Sequence, residues 1–200
     1  KKLQVGYDFA LGKGREGNVD RLKEIGLEIG YQVEVNNPVK INGDVISSSL
    51  IREALLRGDV ARATVMLGRP HRISGKIIPG DGRGRTIGIP TANIDLSYFL
   101  ALPETGVYVC RTKVDGQWYG SVTNVGQRPT FETSPVPTRV ETHILDFSGD
   151  LYGKVVDVDF LSRVRGEQRF PSVQALVDQI HADIDVARGI LERQPADADQ

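Results

Sequence analysis

What this chain can fold into is constrained most by the change of texture after Arg69-Pro70-His71. Up to that point helix-like and strand-like stretches alternate. Beyond it six short strand-like runs follow one another: Arg72–Ile78, Ile87–Ile94, Gly106–Val114, Trp118–Val125, Arg139–Phe147 and Val155–Val164. Turn residues separate them at Asp115-Gly116, at Ser148-Gly149-Asp150 and in the Pro-rich stretch Arg128–Thr138. Six short strands at this spacing predict an antiparallel barrel. From Pro171-Ser172 onward, Val173, Leu176, Val177, Ile180, Ile184 and Ile190 recur on one face of a long helix, which is expected to pack on the barrel. Gln194–Gln200 is a polar tail, expected to be disordered. The fold class is therefore β-rich α+β.

The first part reads differently. Leu3–Tyr7 is a strand-like run, Asn18 stands at a helix N-cap position with Leu22, Ile25 and Ile29 on one face, and Tyr31–Val35 alternates as a second strand. Ile46–Gly58 places serines at a helix start ahead of Leu50, Ala54 and Leu55, and Asp59 caps a further short helix ending at Gly68. A domain boundary is expected near 68–71, giving domains of 1–69 and 70–193. Gly12–Gly17 spells G-x-G-x-x-G with Glu34 at a distance suited to a ribose contact, which opens a reading as an NAD-linked oxidoreductase. The preceding strand is weakly apolar and Asp8, Lys13 and Arg15 crowd the turn, so that signal is weak. Ser48 and Ser49, with Arg52 one turn in, can hold a phosphate or merely cap the helix; spacing alone favours capping.

With 40% hydrophobic and 26% charged residues among 200, the chain is an ordinary globular sequence. A net charge of −1 gives no general attraction to nucleic acid or to an anionic membrane, so any anion binding must be local. A single cysteine, Cys110 in the apolar run Gly106–Cys110, makes no internal disulfide and reads as a buried strand residue. No apolar run approaches the ~18 residues of a membrane span, and a cytoplasmic protein is expected. The chain starts at Lys1 and its only methionine is Met66, so it is expected to be part of a longer polypeptide. His71 and His181 have no partners at metal-ligand spacing.

The chemistry concentrates in Gly80–Asn93. Gly80, Gly82, Gly84 and Gly88 let the backbone approach a ligand, and exposed N–H groups in such a loop form an anion-binding concavity. Arg83 and Arg85 add charge for phosphate. Thr91 and Asn93 then offer hard oxygen donors of the kind that suit Mg²⁺ beside substrate phosphates. On composition alone a nucleoside triphosphate site and a plain hairpin turn are equally matched. The stretch has neither the G-x-x-x-x-G-K-[ST] motif nor dinucleotide spacing. Farther along, strand alternation puts Glu141, His143, Leu145 and Phe147 on one face and Val140, Thr142, Ile144 and Asp146 on the other. A carboxylate beside Leu145 and Phe147 would be partly desolvated, which suits a general base; an exposed strand glutamate is the simpler alternative.

In order, Gly75, Gly80–Asn93, Gly106-Val107-Tyr108, Asn124–Phe131, Val140–Phe147, Leu151-Tyr152-Gly153 and Arg165–Phe170 resemble the riboflavin kinase module, over about residues 70–190. Gly6–Phe9, the Gly12–Gly17 turn and Ile46–Arg52 resemble the later half of the FMN adenylyltransferase module of bacterial bifunctional riboflavin kinase/FAD synthetases. The resemblance implies a six-stranded Greek-key barrel with a C-terminal helix, preceded by the remnant of an α/β nucleotidyltransferase domain. It implies MgATP at the glycine loop (Gly80, Gly82, Arg83, Gly84, Arg85, Gly88, Pro90 and Thr91) and riboflavin on the far side, against the C-terminal helix. By the same resemblance Thr91 and Asn93 hold Mg²⁺ and phosphate oxygens, Glu141 is the base, and Arg165 and Phe170 belong to a segment on the flavin side.

Gly6, Asp8, Phe9, Ser48, Ser49 and Arg52 are implied nucleotide contacts of the adenylyltransferase. Its His-x-Gly-His phosphate motif is absent from these residues, so FAD synthesis is expected of the full-length protein and not of this segment. The competing reading is a non-catalytic barrel that binds nucleotide or RNA through its arginine loop. The net charge of −1 and the scarcity of aromatics near Arg83 and Arg85 speak against RNA.

Overall fold

Contacts in the computed structural model divide the chain into two units, Lys1–Ser47 and Ser48–Gln200. The structure describes residues 1–41, 43–96, 101–127 and 138–193. The Pro-rich turn at 128–137 and the tail at 194–200 lie outside the described residues.

In the first unit, β1 (Lys2–Gly6) pairs in parallel with β4 (Gln32–Asn36), and α1 (Val19–Ile29) runs between them. Asn18 caps α1 by accepting from the Arg21 N–H at 3.0 Å, and Gly30 ends it with φ 82°. Leu22 and Gly26 are buried, whereas Ile29, expected on the apolar face, is 71% exposed in the last turn. The Gly12–Gly17 run is a hairpin in which β2 (Ala10–Leu11) pairs antiparallel with β3 (Gly17–Asn18) around a 3₁₀ turn at Lys13–Arg15. It is not the strand-to-helix turn that seats a dinucleotide pyrophosphate. A second small pair joins β5 (Lys40–Ile41) to β6 (Asp44–Val45).

The second unit opens with α2 (Ser48–Leu56) and α3 (Val60–Leu67), the latter capped by Asp59, whose carboxylate accepts from the Arg62 N–H at 2.9 Å. Six strands follow: β7 (His71–Ile78), β8 (Ala92–Asp95), β9 (Gly106–Val114), β10 (Gln117–Gln127), β11 (Thr138–Ile144) and β12 (Val155–Arg165). They close in the order β10-β11-β8-β7-β12-β9, every pair antiparallel. Because β9, β10 and β11 form a meander with β8 returning beside β11, the barrel is a Greek key. The pleat sends Ile73, Ile77, Tyr108, Cys110, Val140, Ile144, Val158 and Phe160 into one core. Cys110 is fully buried there and desolvation pushes its thiol up, which leaves it an inert packing residue.

Two expectations shift. The run Ile87–Ile94 is a strand only from Ala92, because Arg83–Thr86 winds into a single helical turn, α4, ahead of it. The texture change near residue 69 marks a change of secondary structure and not of core. Leu55, Val60 and Ala63 of α2 and α3 sit in the barrel's own hydrophobic cluster, and the Glu104 N–H donates to the Leu55 carbonyl at 2.9 Å. On the outer wall α5 (Val173–Leu191) covers Val107, Val109 and Val122 with Ile184, Ala187 and Ile190. Asp159, fully buried on that wall, is held bidentately by Arg72 at 2.6 and 3.0 Å, and Arg72 stacks over Trp118.

Leu55→Ala is predicted to destabilise the barrel by about 2–5 kcal/mol, since a fully buried leucine leaves a cavity. Denaturant unfolding followed through Trp118, the only tryptophan, reads it directly. An unchanged midpoint would mean that α2 folds apart from the barrel. His71 gives a pH signature. Burial against Phe160 holds its imidazolium below the ordinary 6.5, so at mildly acid pH the unfolded chain binds the extra proton. Stability is therefore complete above pH ~6.5 and falls as the pH drops through that window, and His71→Phe is predicted to flatten the fall.

Candidate active site

Three rungs carry the geometry of the site: Ala92 opposite Thr142, Asn93 opposite Glu141, and Ile94 opposite Val140. On the other side of β11, Glu141 lies opposite Asn124 of β10. Since Val140, Thr142 and Ile144 are buried, Glu141 and His143 face outward, as alternation requires. Glu141 shares its outward face with Leu145, which meets Leu191 of α5 beside Gly120, but not with Phe147 as expected. β11 ends at Ile144, Asp146 takes φ 55°, and Phe147 turns into the core against Tyr119. The Glu141 side chain is instead 30% exposed and lies 3.5 Å from the Arg139 guanidinium, which also reaches Asp81 at 3.3 Å.

The glycine loop folds back on this row. A Cβ at Gly80 would collide with the Asn93 amide, and one at Gly84 with the Ile89 carbonyl oxygen, beside Thr91. Glycine at these two positions is a requirement of the chain's own packing. Gly82 and Gly88 take left-handed φ values of 71° and 79° at either end of α4. The N–H groups of Arg85, Ile87, Gly88 and Ile89 donate to carbonyls of Gly82, Gly84 and Arg85 within the loop. Half of the expected open N–H cradle is thus a closed helical turn. Arg85 and Pro90 are exposed; the Arg83 side chain lies outside what the structure describes.

Two cavities meet at Thr91. One, of about 450 Å³, lies on the outer wall between Glu141, His143 and Asn124 on one side and Phe170, Leu176 and Ile180 on the other. The second, of about 400 Å³, opens at the barrel mouth, where the inward residues Ile77, Ala92 and Ile144 meet Arg85, Leu151 and Tyr152. Thr91 lines both, so the start of β8 is the partition between them. Thr91 and Asn93 are neutral oxygen donors, and among the described residues no three His, Cys, Asp or Glu side chains group to hold a metal. That donor set suits a cation arriving with phosphate oxygens of its own.

The outer cavity is bounded by the end of β12 and the segment after it. Arg165 donates from Nε and Nη2 to Asp183 at 2.8–3.0 Å and lies 5.6 Å over the Phe170 ring. Asp183, 2% exposed on α5, also accepts from Gln179 at 3.0 Å. Both Arg165 and Phe170 line this cavity. Of the residues expected to contact a nucleotide in the other module, Gly6, Asp8 and Phe9 follow or end β1 in the first unit. Ser48, Ser49 and Arg52 are exposed at the start of α2 in the second. Three lining residues, Asn124, His143 and Asp183, and Arg139, a neighbour through Glu141, were not expected as site residues, although alternation had already put His143 on the face of Glu141.

Asp183→Ala strands the Arg165 guanidinium, whose side chain is 15% exposed, without its counter-charge. The predicted cost is about 3–5 kcal/mol in denaturant unfolding, against about zero for Asp178→Ala on the exposed face of the same helix.

Residues 67–191 match the family model for riboflavin kinase, and residues 1–50 match that for FAD synthetase. The bifunctional riboflavin kinase/FMN adenylyltransferase of Pseudomonas fluorescens is 40% identical over 188 residues, covering 94% of this chain and 60% of that protein. Its counterpart in Bacillus subtilis is 38% identical over 180 residues, 90% of this chain and 57% of that one. A crystal structure of a protein described as a macrolide-efflux protein from Streptococcus pneumoniae superposes with a TM-score of 0.79 at 37% identity, over 92% of this chain and 58% of that chain. No helix among the described residues of the present chain is long and apolar enough to cross a membrane. The chain spans about 60% of the length of the curated relatives it matches. With the kinase model covering more than half of its residues, the chain belongs to the riboflavin kinase family.

Proposed function

We propose that residues 70–193 are a riboflavin kinase, which transfers the γ-phosphoryl group of ATP to the 5′-hydroxyl of riboflavin to give FMN and ADP. The observation that carries the reading is the shared wall. A donor and an acceptor held in the two cavities that Thr91 separates approach each other at that residue, next to Glu141. The outer cavity, lined by Val107, Val122, Ile180 and Phe170, suits an aromatic ring system, with Glu141 and Asn124 reserved for the polar chain. The barrel mouth, beside Arg85 and the glycine loop, takes the triphosphate.

In this reading Glu141 accepts the proton of the ribityl hydroxyl as its oxygen bonds to the γ-phosphorus and the bond to the ADP oxygen breaks. Arg139 holds Glu141 on one side and Asp81 of the loop on the other. Thr91 and Asn93 would hold Mg²⁺ together with the phosphate oxygens, and the ion supplies charge neutralisation at the transferring group. Phosphoryl transfer rests mainly on such positioning and charge, with the base a smaller contributor. Residues 1–50 are read as the remnant of the adenylyltransferase module, whose FAD synthesis belongs to a longer protein, while most of α2 and all of α3 share the barrel's core. Small soluble substrates suit a cytoplasmic setting.

The test is incubation of the chain with riboflavin and MgATP, followed by chromatography for FMN. FMN is expected, and its absence from folded protein would sink the kinase reading. A salt-sensitive shift of RNA without turnover would favour a binding barrel instead. Glu141→Gln is predicted to lower kcat by about 10²–10⁴-fold while riboflavin still binds, and a near wild-type rate would remove Glu141 as the base.

A further inference from the structure

The ladder between β8 and β11 stops at Ala92 opposite Thr142. The next residue toward the loop is Thr91, the partition between the cavities, and beyond it Pro90 has no N–H to continue the pairing. There a side chain takes over from the backbone: the His143 Nδ1 lies 2.7 Å from the Pro90 carbonyl oxygen. A carbonyl oxygen only accepts, so Nδ1 carries the proton and the neutral ring keeps its lone pair on Nε2. On the loop side, Gly84 abuts Thr91 and accepts from the Ile89 N–H at 2.8 Å. Thr91 thus has the glycine turn against it and follows directly on the carbonyl that the imidazole holds.

We propose that His143 is a positioning residue of the phosphoryl transfer, setting the place of Thr91 through its hydrogen bond to Pro90. The inference rests on the kinase reading but assigns a role to a residue outside its catalytic machinery. His143 also lines the outer cavity, so the competing account is that it serves only as a wall for the acceptor. The two accounts separate in kinetics. A wall residue acts on riboflavin binding, whereas a residue that aims Thr91 acts on turnover and on ATP. The Nδ2 amide of asparagine, bonded to Cγ as Nδ1 is in histidine, puts an N–H donor where Nδ1 stands, whereas alanine puts none.

The experiment compares wild type, His143→Ala and His143→Asn in steady-state FMN formation, with melting temperatures taken alongside. Positioning predicts that His143→Ala lowers kcat about 10- to 100-fold, with KM for riboflavin within about twofold, and that His143→Asn restores most of the loss. An effect confined to riboflavin KM, no effect, or an asparagine variant as impaired as alanine at equal melting temperature would overturn it. Nitrogen-15 spectroscopy of the three histidines supplies a readout independent of turnover, with the His143 signal assigned by its loss in His143→Asn. The neutral ring is expected as the Nδ1–H tautomer, and an Nε2–H tautomer would overturn the proposal. If wild type makes no FMN, the kinase reading fails, while the tautomer still reports on the hydrogen bond.

Discussion

The pairing of Ala92–Ile94 with Val140–Thr142 is the constraint on which everything else rests. It is a short ladder, but it brings Asn93 and Glu141, which are far apart in sequence, to directly opposed positions on one face. Its register is enforced by burial and not by the ladder's own hydrogen bonds. A slip of one residue would carry Glu141 into a core made of Tyr108 and Phe160 and push Val140 out into water. The hydrophobic interior of the barrel therefore holds the polar chemistry in place on its outside.

Closure of the barrel has a second consequence. A closed sheet has an inside and an outside, and the start of β8 is a place where a pocket at the mouth and a pocket on the wall come within one residue of each other. α5 and the Arg165–Asp183 pair complete the outer pocket, while the folded glycine turn and the segment Gly149–Tyr152 complete the inner one. The division suits a reaction with two unlike substrates, an apolar ring system and a polyanion, each of which would be poorly served in the other's cavity.

Much of this was legible in the residues, and what was not has physical reasons. Strand alternation located the barrel walls because one face of each strand must be apolar, and Asn18, Asp59 and Ser172 marked helix starts because their side chains accept from the first turn. The glycine stretch stood out by composition. Its fold did not: Ile87 and Ile89 look like strand residues, yet Gly84 lets the chain turn tightly enough to wind α4 before them. Glu141 was expected to be desolvated by Leu145 and Phe147; Leu145 keeps the outward face, but a single left-handed residue, Asp146, turns Phe147 into the core. The membership of Leu55 in the barrel core and the reach of His143 to Pro90 are long-range contacts, to which local periodicity is blind.

The central claim is that phosphoryl donor and acceptor face each other across Thr91 from separate cavities. A crystal structure with riboflavin and a non-hydrolysable ATP analogue bound together tests it most directly. The account predicts the isoalloxazine under α5, the triphosphate at the barrel mouth, and the ribityl terminal oxygen roughly 3–3.5 Å from the γ-phosphorus beside Thr91 and Glu141. Both ligands in one cavity, or a terminal oxygen remote from Glu141, would contradict it.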